Sequence, residues 1–229
     1  MAELPQWIEI VNKLATPAIA GVSALYIYLQ YRRSVWLKKK DLGANVLSRL
    51  ENDEELAFAC RALDWGIGPL IVPVQCRPLL CPRDRETSSA DINPVVEHNT
   101  WSLYLALRPR LHRETLNDPR GLIYRYCFDK LFAHIDDTHR LLRQGQLLLE
   151  DLHGLEYWVK RMSEYRHLPK DRSGNPVRPN DFFQPFIAQY GYFGVASLGR
   201  ELGVEDWSTV DECRAKTWIE TAVLAEKIE

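Results

Sequence analysis

The residue types best suited to metal binding or proton transfer form one short run, which is His134, Asp136, Asp137 and His139. Imidazole and carboxylate groups of this kind can bind a metal ion or transfer protons. On a helix, however, His134 and His139 point about 140° apart, so they cannot readily share one metal as histidines at i and i+4 do. Asp137 lies three residues from His134 and can pair with it. The spacing favours a solvated helix face over a metal or acid–base site.

Two other carboxylates stand at the ends or faces of predicted helices. Asp64 ends a helix one turn after Arg61, which suggests an Arg–carboxylate pair at the helix end rather than a catalytic group. Asp129 lies near an apolar helix face, where a buried carboxylate needs a partner, and Arg125 is the nearest local candidate. The alternative is an enzyme or effector whose site is assembled from distant residues, with Asp64, Asp129 and His134 around one cleft.

Known catalytic and cofactor signatures are missing from the sequence. It contains no GxGxxG, P-loop, GxSxG or HExxH motif. Its five cysteines are odd in number and widely spaced, with no CxxC pair, which favours reduced thiols over a disulfide framework or a zinc site. Cys76 and Cys81 lie five residues apart in a proline-rich stretch and could form a disulfide. We therefore predict no catalytic, cofactor-binding or metal residue, and an enzyme is the less favoured class.

The charge distribution separates the N-terminal segment from the rest. Residues 1–40 hold six Lys or Arg and two Glu, a net charge of +4, which leaves −6 for the remainder of a chain whose total is −2. The total argues against a nucleic-acid-binding protein, which usually has a basic excess. A short basic run, Arg108, Arg110, His112 and Arg113, could contact phosphate, but it lies beside Glu114 in an acidic region. No nucleic-acid partner is expected.

An uncharged segment near the N-terminus predicts a membrane helix. Residues 14–31, LATPAIAGVSALYIYLQY, carry no formal charge. As a helix they would span about 27 Å, close to the roughly 30 Å hydrocarbon core of a bilayer. Tyrosines cluster at the C-terminal end, as interfacial aromatics do. Because the segment contains Pro17, Ser23 and Gln30, a buried or interfacial helix and a signal peptide remain alternatives.

A group of cations that we call the basic collar follows this segment, and its members are Arg32, Arg33, Lys38, Lys39 and Lys40. Only Lys13 precedes the segment. The positive-inside rule then predicts that the N-terminus is outside, and that the remainder is a cytoplasmic domain. The predicted division is a membrane anchor at 1–33 and a helical domain at 34–229. Ala20 and Ala24, with Gly21 between them, have the small-residue spacing that allows two membrane helices to approach closely.

The periodicity of the remaining sequence predicts an all-α fold of six or seven helices. The membrane helix should continue to about Leu50, followed by a helix that Asn52 or Asp53 caps and that ends near Trp65. Prolines and glycines predict one long irregular loop at about 66–98, in which LIVPV is at best an edge strand. Further helices are expected at the following positions: 100–111, from Pro119 to Gly145, 149–165, 181–202, and from Ser208 or Thr209 to Lys227.

A second uncharged segment, residues 182–199, is the first place to look for a binding site. It concentrates aromatic side chains, which are Phe182, Phe183, Phe186, Tyr190, Tyr192 and Phe193. It is too polar and glycine-rich for a good membrane span. A core helix is the simplest interpretation, and a surface for a partner, a lipid interface or an apolar ligand is the alternative.

Several of these features occur together in a family of uncharacterised bacterial proteins that the chain resembles. The shared features are the basic turn after the apolar helix, the helix ending in LDW at 63–65, and FD at 128–129 followed by YW at 157–158. The resemblance covers roughly residues 20–165. It implies a single-pass membrane protein with a helical domain, and it implies no activity.

The sequence as a whole thus favours a membrane-tethered helical interaction or scaffold protein, alone or as a subunit of a larger membrane assembly. Its expected partners are the bilayer and either another protein or a second copy of the chain, and no cofactor is expected. The alternatives are the enzyme described above and a lipid- or pigment-binding accessory protein that uses the 182–199 aromatics.

Overall fold

The structure, a computed structural model, is mostly helical, as predicted, with a small two-stranded sheet. Its contacts divide the chain into two units, one ending at Leu42 and the other beginning at Gly43. The residues described are 6–80, 94–108, 118–165, 167–170, 174–178 and 182–204, with side chains from residue 19 onward.

One helix, α1, accounts for the described part of the first unit and continues into the second. It runs over Gln6–Asn52, which confirms the predicted continuation past Gly43 to about Leu50. Its last two turns contribute Val46 and Leu50 to the core of the second unit. Asp53 then caps the next helix by accepting the backbone N–H groups of Glu55 and Leu56.

The second unit is built from short helices around one long helix. In chain order its elements after α1 are α2 (Glu54–Asp64), β1 (Ile67–Ile71), a 3₁₀ helix (Val74–Leu79), β2 (Val95–Asn99), α3 (Thr100–Ala106), α4 (Pro119–Arg143), a second 3₁₀ helix (Leu149–Leu152), α5 (His153–Ser163), α6 (Phe183–Tyr190) and α7 (Phe193–Glu201).

The long helix α4 is the centre of the second unit, and its course confirms the prediction from sequence. Four residues of its apolar stripe, Ile123, Cys127, Leu131 and Ile135, are fully buried, and the fifth, Leu142, is half-buried. The helix packs against α2, α3 and α7. Asp118 caps its start before a proline at the first helical position, and the chain leaves it through Gly145 at φ 68°, a left-handed conformation that glycine adopts without strain.

The prediction of one irregular loop at about 66–98 is wrong at both of its ends. β1 and β2 pair antiparallel there, with Ile67 opposite Asn99 and Ile71 opposite Val95. Pro69 lies within β1, which is tolerated because each strand of a two-stranded sheet has a free edge. The central part of the predicted loop, residues 81–93, lies outside the described residues.

The prediction of one helix over 181–202 is also wrong. The chain forms two helices, α6 and α7, because Gly191 takes a left-handed conformation at φ 75° and ends α6. The amide of Tyr192 then donates to the carbonyl of Ile187, which closes the turn. The helix predicted after Ser208 and the end of the one predicted at 100–111 lie outside the described residues.

Candidate functional site

The structure gives Asp64 a partner far from it in sequence. Its carboxylate accepts hydrogen bonds from the Tyr157 hydroxyl at 2.6 Å and from Arg161 Nε at 3.0 Å. The Arg161 guanidinium also donates to the Asp64 carbonyl. Both partners lie on α5, so Asp64 joins the end of α2 to α5. The predicted pairing with Arg61 is replaced by this contact between helices.

Asp129 also binds a residue other than the one predicted. Its carboxylate accepts a hydrogen bond of 2.6 Å from the Tyr192 hydroxyl, at the start of α7. Arg125 instead donates to the carbonyls of Ala106 and Arg108, which satisfies the end of α3. The predicted ion pair of Asp129 with Arg125 is therefore wrong, and the partner of Asp129 is a tyrosine from the start of α7.

His134 is largely buried and satisfies a backbone carbonyl. Its Nε2 lies 3.1 Å from the carbonyl oxygen of Val46, which fixes Nε2 as the donor in this contact. Burial lowers the pKa of His134 below its usual value. Asp137 forms an ion pair with Arg140 on the exposed helix face. His139 Nε2 lies 3.3 Å from a carboxylate oxygen of Glu201. The dense ionisable run thus serves several separate contacts.

The residues of the alternative site around one cleft, which are Asp64, Asp129 and His134, therefore bind three different sets of partners. An open depression of about 370 Å³ beside His134 is lined by Arg49, Asp137 and Arg140, but neither Asp64 nor Asp129 lines it. Within the described ranges, no group of three His, Cys, Asp or Glu side chains could hold a metal ion. The geometry gives the enzyme interpretation no site from these residues.

The aromatic segment 182–199 is mainly core. Phe182, Phe183 and Phe186 are all buried. Phe183 and Phe186 pack against the phenylalanines of α4, Phe128 and Phe132, while Phe182 packs against Tyr104 and Tyr165. These three phenylalanines therefore cannot form the predicted partner or ligand surface, because their side chains are already covered by the domain itself.

The other three aromatics of that set are less buried. Tyr190 is exposed, and Tyr192 and Phe193 are half-buried. Tyr190 is hydrogen-bonded to Arg125, whose guanidinium lies over the rings of Tyr190 and Phe186. Only Tyr190 retains the exposure that a partner-binding residue of this segment needs.

A buried polar pair that the sequence analysis did not single out lies beneath the sheet. Nδ1 of His98 and the Tyr124 hydroxyl are 2.6 Å apart, and that hydroxyl also accepts the backbone N–H of Asn99. Burial lowers the pKa of His98 to about 4 and raises that of Tyr124. The pair ties β2 to α4. The available signal in the sequence was that His98 stands two positions after Val96, because residues two apart in a strand share a face, and the structure shows this face to be the buried one.

The most extensive exposed apolar surface belongs to the first unit. From Ile19 to Leu37 the large apolar side chains of α1 are about half to two thirds exposed; they are Ile19, Val22, Leu25, Tyr26, Ile27, Tyr28, Leu29, Tyr31, Trp36 and Leu37. Seven of them fall within residues 19–29, and at 100° per residue they point in all directions around the axis. We call this surface the apolar sleeve.

The basic collar begins at Arg32 and therefore overlaps the C-terminal end of the apolar sleeve. Arg32, Arg33 and Lys38 are exposed, and Lys39 and Lys40 are half-exposed. The Arg32 guanidinium lies 6.0 Å from the centre of the Tyr28 ring, and Lys40 Nζ lies 5.4 Å from that of Trp36. These cation–π contacts place charge next to aromatic rings at the end of the sleeve.

A smaller apolar surface lies on the sheet of the second unit. Ile67 is 85% exposed, and Ile71, Val95 and the neighbouring Trp65 are about half exposed. In the register of the sheet, Ile71 stands opposite Val95 and both side chains point outward. We call these four residues the hairpin patch.

Within the described ranges, no helix combines the length and the apolar character needed to cross a bilayer. Comparison of the chain with protein-family models, with curated proteins and with solved structures finds no match, so the family resemblance seen in the sequence stays a prediction.

Proposed function

We propose that the protein is a membrane-tethered interaction protein, whose α1 helix attaches it to a bilayer and whose second unit binds a partner at the membrane surface. The observation that carries the proposal is the apolar sleeve. A helix in water normally presents an apolar stripe to a core and polar residues elsewhere. Over residues 19–29 the large apolar side chains of the sleeve point in all directions around the helix axis, and among the described residues about half to two thirds of each remains exposed.

The energy of this exposure supports an apolar environment for the sleeve. Burying a side chain such as Ile19, Leu25 or Ile27 is worth roughly 1.5–3 kcal/mol relative to leaving it in water. These three are 58–66% exposed, so most of that free energy is not gained within the chain. A bilayer or a bundle of apolar helices would provide it.

The basic collar supports both attachment and orientation. Each cation near an anionic leaflet contributes about 1 kcal/mol, and the collar holds five of them. Lys and Arg stay preferentially on the cytoplasmic side of a membrane helix. The proposal therefore keeps the N-terminus outside and the second unit in the cytoplasm.

Small residues within the sleeve support insertion as a pair of helices. The helix alone does not reach the apolar character of a span, so a contact that shields its polar positions would favour insertion. A Cβ added to Gly21 would meet nothing within 4 Å, so this face of the helix is open. Ala20 and Ala24 flank it, and small residues let two membrane helices approach closely.

The hairpin patch supports the interaction role of the second unit. Three of its apolar side chains are exposed on a sheet of two strands, each of which has one free edge, and the fourth, Trp65, is exposed just before β1. Exposed apolar clusters and unpaired strand edges are features through which proteins bind one another. We propose this surface as the partner-binding face of the domain.

The experiment that tests this function is flotation of the purified full chain with lipid vesicles. The variant combines L25N, I27N and L29N in the sleeve, and the matched control combines I67N and I71N in the hairpin patch. Wild type and control should float with vesicles that contain anionic lipid, and the sleeve variant should remain at the bottom of the gradient. Flotation of the sleeve variant, or failure of wild type to float, would overturn the proposed attachment.

A second measurement addresses the partner-binding face. A crosslinker applied to membranes should join wild type to a second copy or another protein through the second unit. I67N/I71N should lose that crosslinked species and still float. If the species persists in I67N/I71N, the hairpin patch is not the binding face.

A further inference from the structure

Two buried cysteines from distant parts of the chain meet in the core. Cys76, in the 3₁₀ helix Val74–Leu79, and Cys127, in the middle of α4, are 51 positions apart, and their Sγ atoms lie 3.9 Å from each other. Both side chains have no measurable exposure and both thiols are free. A disulfide has an S–S bond of about 2.05 Å, so the two sulfurs need to approach by roughly 1.9 Å.

The two thiols have different chemical environments. The hydrogen bond from the Cys127 thiol lowers the pKa of Cys76, while burial opposes this effect. The same contact, together with burial, raises the pKa of Cys127. The nearby charge of Glu55 also raises the pKa of Cys76, and Lys130, which is paired with Glu55 at 3.1 Å, lowers it to a smaller extent. Since the thiolate is the reactive form of cysteine, Cys76 is the better nucleophile of the pair.

From this juxtaposition we propose that Cys76 and Cys127 form a reversible disulfide when the protein meets a peroxide, and that the bond fastens the 3₁₀ helix Val74–Leu79 to α4. The proposal rests on the geometry of the second unit. It does not depend on the proposed membrane attachment.

The chemistry requires one peroxide per bond. The Cys76 thiolate attacks a peroxide oxygen, the O–O bond breaks, and hydroxide leaves with the proton of the original thiol as water. Cys127 then attacks the resulting sulfenic acid, the S–O bond breaks, and its proton leaves with hydroxide as a second water. The two thiols lose two electrons in total, and hydrogen peroxide is reduced to two waters.

The cross-link would hold the segment that carries the hairpin patch. Cys76 follows β1 by five residues, and between them the Val72 amide donates to the Pro94 carbonyl and the Val74 amide to a Glu54 carboxylate oxygen, both at 2.8 Å. These bonds attach the base of the sheet to the rest of the unit. A disulfide would add a covalent link just after β1 and close the loop 76–127, which contains β2 and α3 and ends within α4.

Cys60 provides the matched control. It is a buried thiol of α2, 3% exposed, and burial raises its pKa to about 12. Its thiol is therefore poorly reactive and should remain reduced under mild peroxide. Replacing it tests whether loss of any buried thiol changes the outcome.

The test treats the full chain with hydrogen peroxide in mild detergent, without denaturant, blocks the remaining thiols, and maps the linked peptides by mass spectrometry. We expect a Cys76–Cys127 peptide two hydrogens lighter than its reduced parts, lost again on addition of a dithiol. The oxidised protein should melt roughly 5–10 °C higher, because the loop is closed in the unfolded state. C60A should give the same peptide, and C127A should not.

Three results would overturn the proposal. They are a Cys76–Cys81 peptide in place of the expected one, no linked peptide after prolonged treatment with excess hydrogen peroxide, and equal melting temperatures for the oxidised and reduced protein. Should C127A fail to fold, the peptide map of wild type and C60A decides the question by itself.

Discussion

Asp64 offers the sharpest test of how the helices of the second unit are held together. In D64A the carboxylate that joins α2 to α5 is removed, together with its bonds from Tyr157 at 2.6 Å and Arg161 at 3.0 Å. The side chains of Arg161 and Asp64 are only 19% and 31% exposed, so solvent screens this pair less than a surface ion pair.

The expected magnitude follows from those contacts. A hydrogen bond to a charged group contributes about 1.5–3 kcal/mol, and partial exposure places this one in the lower part of that range. D64A should therefore reduce the free energy of unfolding by about 2 kcal/mol. For a chain of this size that lowers the melting temperature by roughly 4–8 °C.

The assay is urea unfolding of the full chain in mild detergent, followed by tryptophan fluorescence. D137A is the matched control, because Asp137 pairs with Arg140 on the same protein but both side chains are more than 60% exposed. It should change the free energy of unfolding by no more than about 0.5 kcal/mol. A double-mutant cycle of D64A and R161A should give a coupling energy of at least about 1 kcal/mol.

Two outcomes would refute this reasoning. One is a coupling energy near zero between Asp64 and Arg161, and the other is equal destabilisation by D64A and D137A. A larger coupling energy of Asp64 with Arg61 than with Arg161 would support the local ion pair that the sequence predicted.

Three further predictions concern the packing, the pH dependence and the capping of the second unit. G194A should lower the free energy of unfolding by about 1–3 kcal/mol, because the new Cβ would lie 2.5 Å from an Asp136 carboxylate oxygen and 3.0 Å from the Asp136 Cα. A Cβ at Gly21 would meet nothing within 4 Å, so G21A should leave the urea unfolding of the second unit unchanged. Because burial lowers the pKa of His98 to about 4, the neutral imidazole contributes about 3 kcal/mol to the free energy of unfolding above about pH 6.5. This contribution is lost as the pH falls from 6.5 toward 4. H98Q should show a smaller decline over that window in urea unfolding at each pH. D53A should cost about 1 kcal/mol, because two backbone N–H groups of α2 lose their acceptor, and D53N should recover most of it.

The sequence predicted the long helices well because their signals are local. In α4 the apolar spacing lies within the helix, and the Asp-Pro start and the glycine after its end lie at its two boundaries. In the helix predicted over 149–165, which the structure divides into the second 3₁₀ helix and α5, the apolar residues at helical spacing are Leu152, Leu155, Val159 and Met162, and all four are fully buried. The break between α6 and α7 was not predictable in this way, because three glycines lie in 191–199 and periodicity does not show which one turns left-handed.

The strands and the polar contacts depend on pairings that local spacing cannot reveal. Ile71 pairs with Val95, and the intervening residues carry no pattern that fixes the register. The partners of Asp64 lie more than 90 residues along the chain, and Tyr192 lies 63 residues from Asp129. Residues at i±3 and i±4 were the only candidates that helical geometry could suggest, and tertiary packing selected others.

The central claim, that α1 places the second unit on the inner side of a membrane, is tested most directly by protease protection. Sealed, right-side-out vesicles from cells producing the full chain with a short tag at each end are treated with protease. The account predicts that the N-terminal tag is removed and that the second unit and the C-terminal tag survive until detergent opens the vesicles. Digestion of the second unit in sealed vesicles, or recovery of the chain in the soluble fraction before digestion, would contradict it.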